Sequence, residues 1–436
     1  MRVSRRQLLK GAGSAALVAS AHVLAWPRRA RAALPEDPIV LLVQLQGGND
    51  ALNTVVPVNN VGIPQRSLYD FYRPDLSISP NELSATLIGV DPAVGTSLAF
   101  HPVMTDFKAL YDAGHLAVVN GVGFPGAPLS HARASAVWFA GDPAGFAGTG
   151  WLGRYSDAEF LAADTPALSL AGAPVPMFAG AHANALAART LRGFALPDDP
   201  LFPDLAARGP AWAAELAPDA GDSPFVAQLR RQGADVLSKE PILGAVELSG
   251  WGSQLEAEPT PFHAALHEIA SLLRYDLLFP DAASGIALFH VTQPGYDTHS
   301  LQGAAEPEGR HAQRLAQLGD ALAKFYADLV ALGIQNRVLV LTYSEFGRRP
   351  RQSGSGEEAG TDHGAPGTLF ALGGAVVGGT YGALPGLDAL DAVGNAAFTV
   401  DFRRVYATVI DRFLGADHND FLPGAPFLPI DFLPAP

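Results

Sequence analysis

Ile39-Val40-Leu41-Leu42-Val43-Gln44-Leu45 is an apolar run with one polar interruption, and after Gln46 it stops at Gly47-Gly48-Asn49-Asp50. A continuous apolar run bounded by a turn signal reads as a strand buried on both faces, and such strands belong to parallel sheets covered by helices. Working outward, the same pattern recurs. Leu116 to Val119 reads as a strand, followed by the glycine- and proline-rich loop Gly121 to Pro128 and a helix from Ser130 to Ala140, with Ser130 at its N-cap. Ile286 to Val291 reads as another strand. His311 to Gly333 reads as a helix bearing Leu315, Leu318, Leu322, Phe325 and Leu329 at alternating three and four spacing, and Val338 to Thr342 as the next strand. Strand, helix, strand at these lengths predicts a right-handed parallel crossover. A strand near Thr368 to Leu372 and a helix from Asp401 to Leu414, with Gly415 at its end, complete the pattern. The expected fold class is α/β, an open, mostly parallel sheet with helices on both faces. It carries a mostly helical insertion or lid at about 197–261, where Ala, Pro and Asp dominate.

The chemistry follows the strands. Asp50 comes after the first, Ser130 and His131 after the second and its loop, Asp297 and His299 after the third, and Glu345 after the fourth; Asp362-His363 stands just before the fifth. Ligands of doubly wound sheets sit beyond the carboxyl ends of the strands, so these residues are expected to converge on one edge. Carboxylates clustered with imidazoles suit Zn²⁺, Mn²⁺, Mg²⁺ or Ca²⁺, because like charges so close need a cation to offset their repulsion. Taken alone, Asp297-Thr298-His299 reads rather as a capping or turn segment, and an isolated Asp-His pair as solvated loop; it is their convergence that points to a site.

Composition narrows the field. The chain has 436 residues, 48% of them hydrophobic and 17% charged, enough to bury a substantial core. A formal net charge of −14 argues against nucleic acid or an anionic membrane surface as the main partner. With no cysteine, no thiolate serves as nucleophile or ligand, and any metal is left to carboxylate, imidazole, amide or hydroxyl groups.

The first 32 residues read as an export signal. Ser4-Arg5-Arg6-Gln7-Leu8-Leu9-Lys10 precedes a weakly apolar run, Gly11 to Trp26, which closes on Ala30-Arg31-Ala32. This predicts the twin-arginine export machinery as a partner, cleavage after Ala32 and a periplasmic or extracellular location. The apolar run is shorter than the roughly 20 residues a membrane span requires, so no stable span is expected in the mature protein, read as a single domain over 33–436.

The phrases Leu45-Gln46-Gly47-Gly48-Asn49-Asp50, Ser130-His131, Thr149-Gly150-Trp151-Leu152-Gly153-Arg154, Gly295-Tyr296-Asp297-Thr298-His299, Ser344-Glu345-Phe346-Gly347-Arg348 and Gly360-Thr361-Asp362-His363-Gly364 resemble, in order, those of the exported family DUF1501. Asp401-Phe402-Arg403-Arg404-Val405-Tyr406 resembles it too. That family in turn resembles the alkaline phosphatase and sulfatase superfamily. The resemblance implies an alkaline phosphatase-like fold, hydrolysis of phosphate or sulfate esters, an anionic ester or polymer as substrate, and one or two divalent metal ions per chain. It implies Ser130 as nucleophile, one metal held by Asp297, His299 and His363, with Asp362 beside them, and a second held by Asp50, Glu345 and Ser130. Phe346 stands where many phosphatases have a histidine, which weakens that second site.

Arg348, three residues beyond Glu345, would clamp an anionic oxygen bidentately; the alternative is an ion pair with a neighbouring carboxylate. Three functions compete: a metal-dependent phosphate or sulfate ester hydrolase, a degenerate relative that binds metal or an anionic polymer without turnover, and a serine esterase using Ser130 with a histidine. No Gly-x-Ser-x-Gly elbow surrounds Ser130, which places the third last. The stretch from Arg349 to Gly360, with glycine and serine spacing and no apolar periodicity, predicts a mobile surface flap over the site.

Overall fold

The computed structural model describes residues 37–160, 165–183, 185–195, 205–217, 219 and 221–435. The export signal read at 1–32 lies outside the described residues. The opening apolar run forms β1 (Ile39–Gln46), buried throughout except at Gln46. The other strands of its sheet are β2 (Leu116–Gly123), β3 (Ala167–Ser169), β4 (Ala185–Ala187), β5 (Leu288–Pro294) and β6 (Val338–Tyr343). Beyond the hairpin β7 (Gly347–Ser353) and β8 (Gly360–Gly364) come β9 (Gly367–Leu372), β10 (Gly379–Tyr381) and β11 (Val400–Asp401). The sheet has nine strands in the order β10-β2-β9-β6-β1-β5-β3-β4, with β11 also paired to β2. Among the described strands of this sheet only β9 runs against its neighbours, so the sheet is mostly parallel.

The crossover expected from the sequence is present. β1 lies between β5 and β6, and helix α1 (Arg310–Ala331) connects those two. Alternate residues of β1 feed two different cores, as its period of two dictates. Leu41, Val43 and Leu45 pack with Leu315, Leu322 and Phe325 of α1 on one face. Val40 and Leu42 pack with Trp138, Val405 and Tyr406 on the other, so helices cover both faces. Pairing moves one boundary. The strand expected at 286–291 runs from Leu288 to Pro294, because its polar end, Thr292 and Gln293, keeps register with Gln44 and Leu45 of β1. The closing helix is regular from Phe402 to Thr408, widens to a π-turn over Val409–Phe413, and is followed by Gly415 at φ +70°. Within the insertion, the helices Leu205–Glu215 and Pro224–Gly244 are described. No helix among the described residues is long and apolar enough to cross a membrane.

The expected flap at 349–360 is corrected. Its two ends belong to the strands of the antiparallel hairpin β7–β8, and the turn from Gly354 to Glu358 between them is exposed. The hairpin is held by partners remote in sequence. Arg73 donates from Nε to the carbonyl of Pro350 at 2.9 Å and from a terminal nitrogen to that of Arg349 at 3.1 Å. Gln352 donates to Asp75 at 2.7 Å and accepts from the Asp75 N–H at 2.9 Å. Glycine and serine spacing carries no trace of a partner some 277 residues away.

Candidate metal centre

The register of the sheet delivers the site. Gln46 pairs with Pro294 and Gln44 with Tyr343, so the segments that begin at Gly47, Gly295 and Ser344 leave the sheet side by side. Gly47 has φ +125°, and a Cβ there would lie 2.3 Å from the Asp297 nitrogen; Gly48 has φ +87° and a Cβ would meet the Phe346 ring at 2.4 Å. Only glycine permits both the conformation and the approach.

At this edge His131, Asp297, His299 and His363 come together. Asp297 Oδ1 lies 3.1 Å from His363 Nε2 and 3.2 Å from His299 Nε2, and the two Nε2 atoms are 3.0 Å apart. His131 Nε2 lies 3.6 Å from Asp297 Oδ2. Ligands at about 2.0–2.1 Å around a tetrahedral Zn²⁺ stand roughly 3.3 Å from one another; the Asp297, His299 and His363 atoms have that spacing, and His131, Asp297 and His363 offer ligand atoms all within 4.8 Å of one another.

Each ring is also held from its outer side. His131 Nδ1 lies 2.7 Å from Glu345 Oε1, His363 Nδ1 lies 3.0 Å from the Leu129 carbonyl, and His299 Nδ1 lies 3.2 Å from Asp362 Oδ1. A carboxylate or carbonyl only accepts, so in each ring Nδ1 is placed to donate outward, while Nε2 is the nitrogen turned toward Asp297, where a cation could take the place of a proton. Imidazoles that ligate metals are oriented by partners of this kind. Phe346 walls the cluster, with its ring centroid 4.3 Å from that of His363 and 5.0 Å from that of His131. The donor set therefore fits a divalent cation.

Asp297 is charged there. Partial burial alone would raise its pKa, but hydrogen bonds from Arg348 and His363 and the Arg348 charge outweigh it and hold the carboxyl at about 2. Arg348 itself is buried with every donor group engaged: Nε gives to Gly48 O at 2.7 Å, one terminal nitrogen to Thr361 O at 2.7 Å, and the other to Gly47 O, to Tyr296 O at 2.9 Å and to Asp297 Oδ1 at 2.7 Å. This corrects the expected anion clamp. Arg348 is a tie between three loops and the ion partner of Asp297.

The second metal grouping is also corrected. Asp50 is buried with both carboxylate oxygens on Arg73, at 2.6 and 2.8 Å, and Gln302 donates to one of them at 2.6 Å. Desolvation would raise the Asp50 pKa; Arg73 reverses the sign and lowers it. Glu345 is buried elsewhere, accepting at Oε1 from the Gly47 N–H at 2.9 Å and from His131, while Oε2 has no partner among the described residues. Asp362 faces the outer nitrogen of His299 and lies 3.8 Å from Arg349, so it orients a ring instead of joining the inner set. Ser130 occupies the N-cap of helix α2 (His131–Ala140) without a side-chain capping bond and is exposed. It stands between Leu129, whose carbonyl holds His363, and His131.

Sequence reasoning set His131 beside Ser130 after the second strand and missed its approach to Asp297; it missed Arg73 altogether, since Tyr72-Arg73-Pro74 carries no motif. A second group, Asp411, Asp417 and His418, has the spacing of a metal site. Its imidazole is already committed, with Nδ1 2.8 Å from Asp411 and Nε2 accepting from the Phe427 N–H at 3.0 Å.

Fold and site together define an α/β protein with a histidine- and carboxylate-lined centre at the carboxyl edge of a mostly parallel sheet. Residues 281–426 match the family model described as "Protein of unknown function (DUF1501)". No curated protein matches the sequence. Similar solved structures include an alkaline phosphatase from the Antarctic bacterium TAB5, 11% identical, covering 79% of this chain and 95% of that one with a TM-score of 0.31. The PsFucS1 sulfatase from Pseudoalteromonas sp. is 10% identical, covering 91% of this chain and 71% of that one with a TM-score of 0.34. The lipoteichoic acid synthase LtaP from Listeria monocytogenes is 10% identical, covering 88% and 74% with a TM-score of 0.29.

Proposed function

We propose that the protein is a metal-dependent hydrolase of phosphate or sulfate esters, exported through the twin-arginine machinery and active in the periplasm or outside the cell. The carrying observation is the convergence of three Nε2 atoms on the Asp297 carboxylate, each ring fixed from behind by an acceptor. A divalent cation held by His131, Asp297, His299 and His363 would supply Lewis-acid stabilisation of the charge that develops on the transferring group. The protein's own groups do the rest. Glu345 and the Leu129 carbonyl keep His131 and His363 in the tautomer that offers Nε2. Ser130 presents an Oγ free of capping duty as the nucleophile, and the unpaired N–H groups that open α2 face an anion at that end of the helix.

The degenerate reading, metal binding without turnover, draws on one observation: all three guanidinium nitrogens of Arg348 are already hydrogen-bonded within the protein. Hydrolysis of 4-nitrophenyl phosphate and 4-nitrophenyl sulfate by the purified mature protein separates the two. Turnover abolished by chelator and by Ser130→Ala supports the hydrolase, metal-bound but inert protein supports the degenerate reading, and cleavage that ignores chelator would restore the serine esterase.

A further inference from the structure

Beside the metal centre the surface opens into a cleft of about 420 Å³. Asp297 and Thr298 form one wall; Arg310, Gln313 and Arg314 of the first turns of α1 form another. Among the described residues neither Arg310 nor Arg314 has a carboxylate partner, in contrast to Arg73 and Arg348, whose guanidiniums are taken up by carboxylates and carbonyls. The two are four residues apart on one helix, where like charges face each other and repel. A chain with 43 acidic against 29 basic residues has carboxylates to spare, yet keeps this pair uncompensated at the mouth of its site.

We infer that this cleft holds a second anionic group of the substrate: the ester transferred at the centre is carried on a multiply anionic scaffold, with a further sulfate, phosphate or carboxylate next to the scissile group. Guanidiniums suit such oxygens because they offer paired N–H donors, and an anion between Arg310 and Arg314 relieves their repulsion. The ester part rests on the hydrolase reading above. The anion contact does not, since its donors, Arg310 and Arg314, lie outside the inner metal set.

The test uses a heparin-derived hexasaccharide as probe, with its affinity measured by calorimetry on the full protein as purified and again after metal removal. Wild type is expected to bind in both forms, and Arg310→Gln/Arg314→Gln to weaken binding by about tenfold or more, from the loss of two charge-assisted contacts. Lys108→Gln, which removes one cation elsewhere on the surface, is expected to leave affinity unchanged. Each single arginine variant should show part of the loss, so the result survives a double variant that folds poorly. Failure of wild type to bind, or equal affinity in the arginine variants, overturns the inference. Metal content is measured separately on the same samples: its absence from wild type defeats the hydrolase reading and leaves the hexasaccharide result to stand or fall alone.

Discussion

Glu345 Oε1 lies 2.7 Å from His131 Nδ1 and also accepts the Gly47 N–H at 2.9 Å, so one buried carboxylate oxygen fixes both an imidazole of the centre and the loop after β1. Glu345→Gln keeps the volume but removes the charge that selects the His131 tautomer. The expected result is a loss of metal affinity of about 10–100-fold, the usual effect of removing such an outer partner. Competition titration with a zinc chelator measures it, and unchanged affinity would show that Glu345 does not act through His131.

Arg73 and Asp50 form a fully buried ion pair. Removing one partner leaves the other charge uncompensated, so Arg73→Ala is expected to destabilise the protein by about 3–5 kcal/mol, with the double change Asp50→Asn/Arg73→Met recovering most of it. Urea denaturation reads both. A small loss for Arg73→Ala would mean that Asp50 finds another cation, as the sequence alone first suggested.

Gly360 sits where a Cβ would lie 2.3 Å from the backbone of His299. Gly360→Ala is expected to cost about 1–3 kcal/mol by overpacking and to weaken metal binding by displacing His299. Thermal melting with and without Zn²⁺ tests this; a variant with wild-type melting in both conditions contradicts the tight seating of the hairpin.

His290 and His311 are buried, and desolvation lowers the pKa of each from 6.5 to about 3. The unfolded chain therefore binds more protons than the folded one across that window. Stability is at its full value above pH 6.5 and is lost progressively as pH falls toward about 3, with a slope approaching about 1.4 kcal/mol per pH unit for each histidine. Chemical denaturation between pH 7 and the onset of acid unfolding gives the slope, and flat stability down to pH 5 would contradict it.

Much of the fold was legible because its signals are local. The apolar run at Ile39 and the heptad-like spacing from Leu315 to Leu329 each mark one element, and their order implies a parallel sheet whose carboxyl edge gathers Asp297, His299, Glu345 and His363. What stayed hidden was settled by long-range pairing. Asp50 looked like a ligand until Arg73 occupied it, Arg348 looked like a clamp until four carbonyls and Asp297 engaged all three of its nitrogens, and the polar stretch after Arg349 looked like loop until its first strand was tied to Arg73 and Asp75. Charge and hydrogen-bond capacity can be counted along a chain, but which partner uses them is decided in three dimensions.

The central claim, that His131, Asp297, His299 and His363 form one metal centre, is tested most directly by elemental analysis of the purified mature protein together with its Asp297→Asn and His363→Ala variants. About one equivalent of a divalent metal per chain is expected in the wild type, because among the described residues the His418 imidazole of the other candidate group is committed and Asp50 is held by Arg73, and close to none is expected in either variant at retained fold by circular dichroism. Metal-free wild type after growth and dialysis in Zn²⁺ or Mn²⁺, or variants that hold as much metal as wild type, would contradict it.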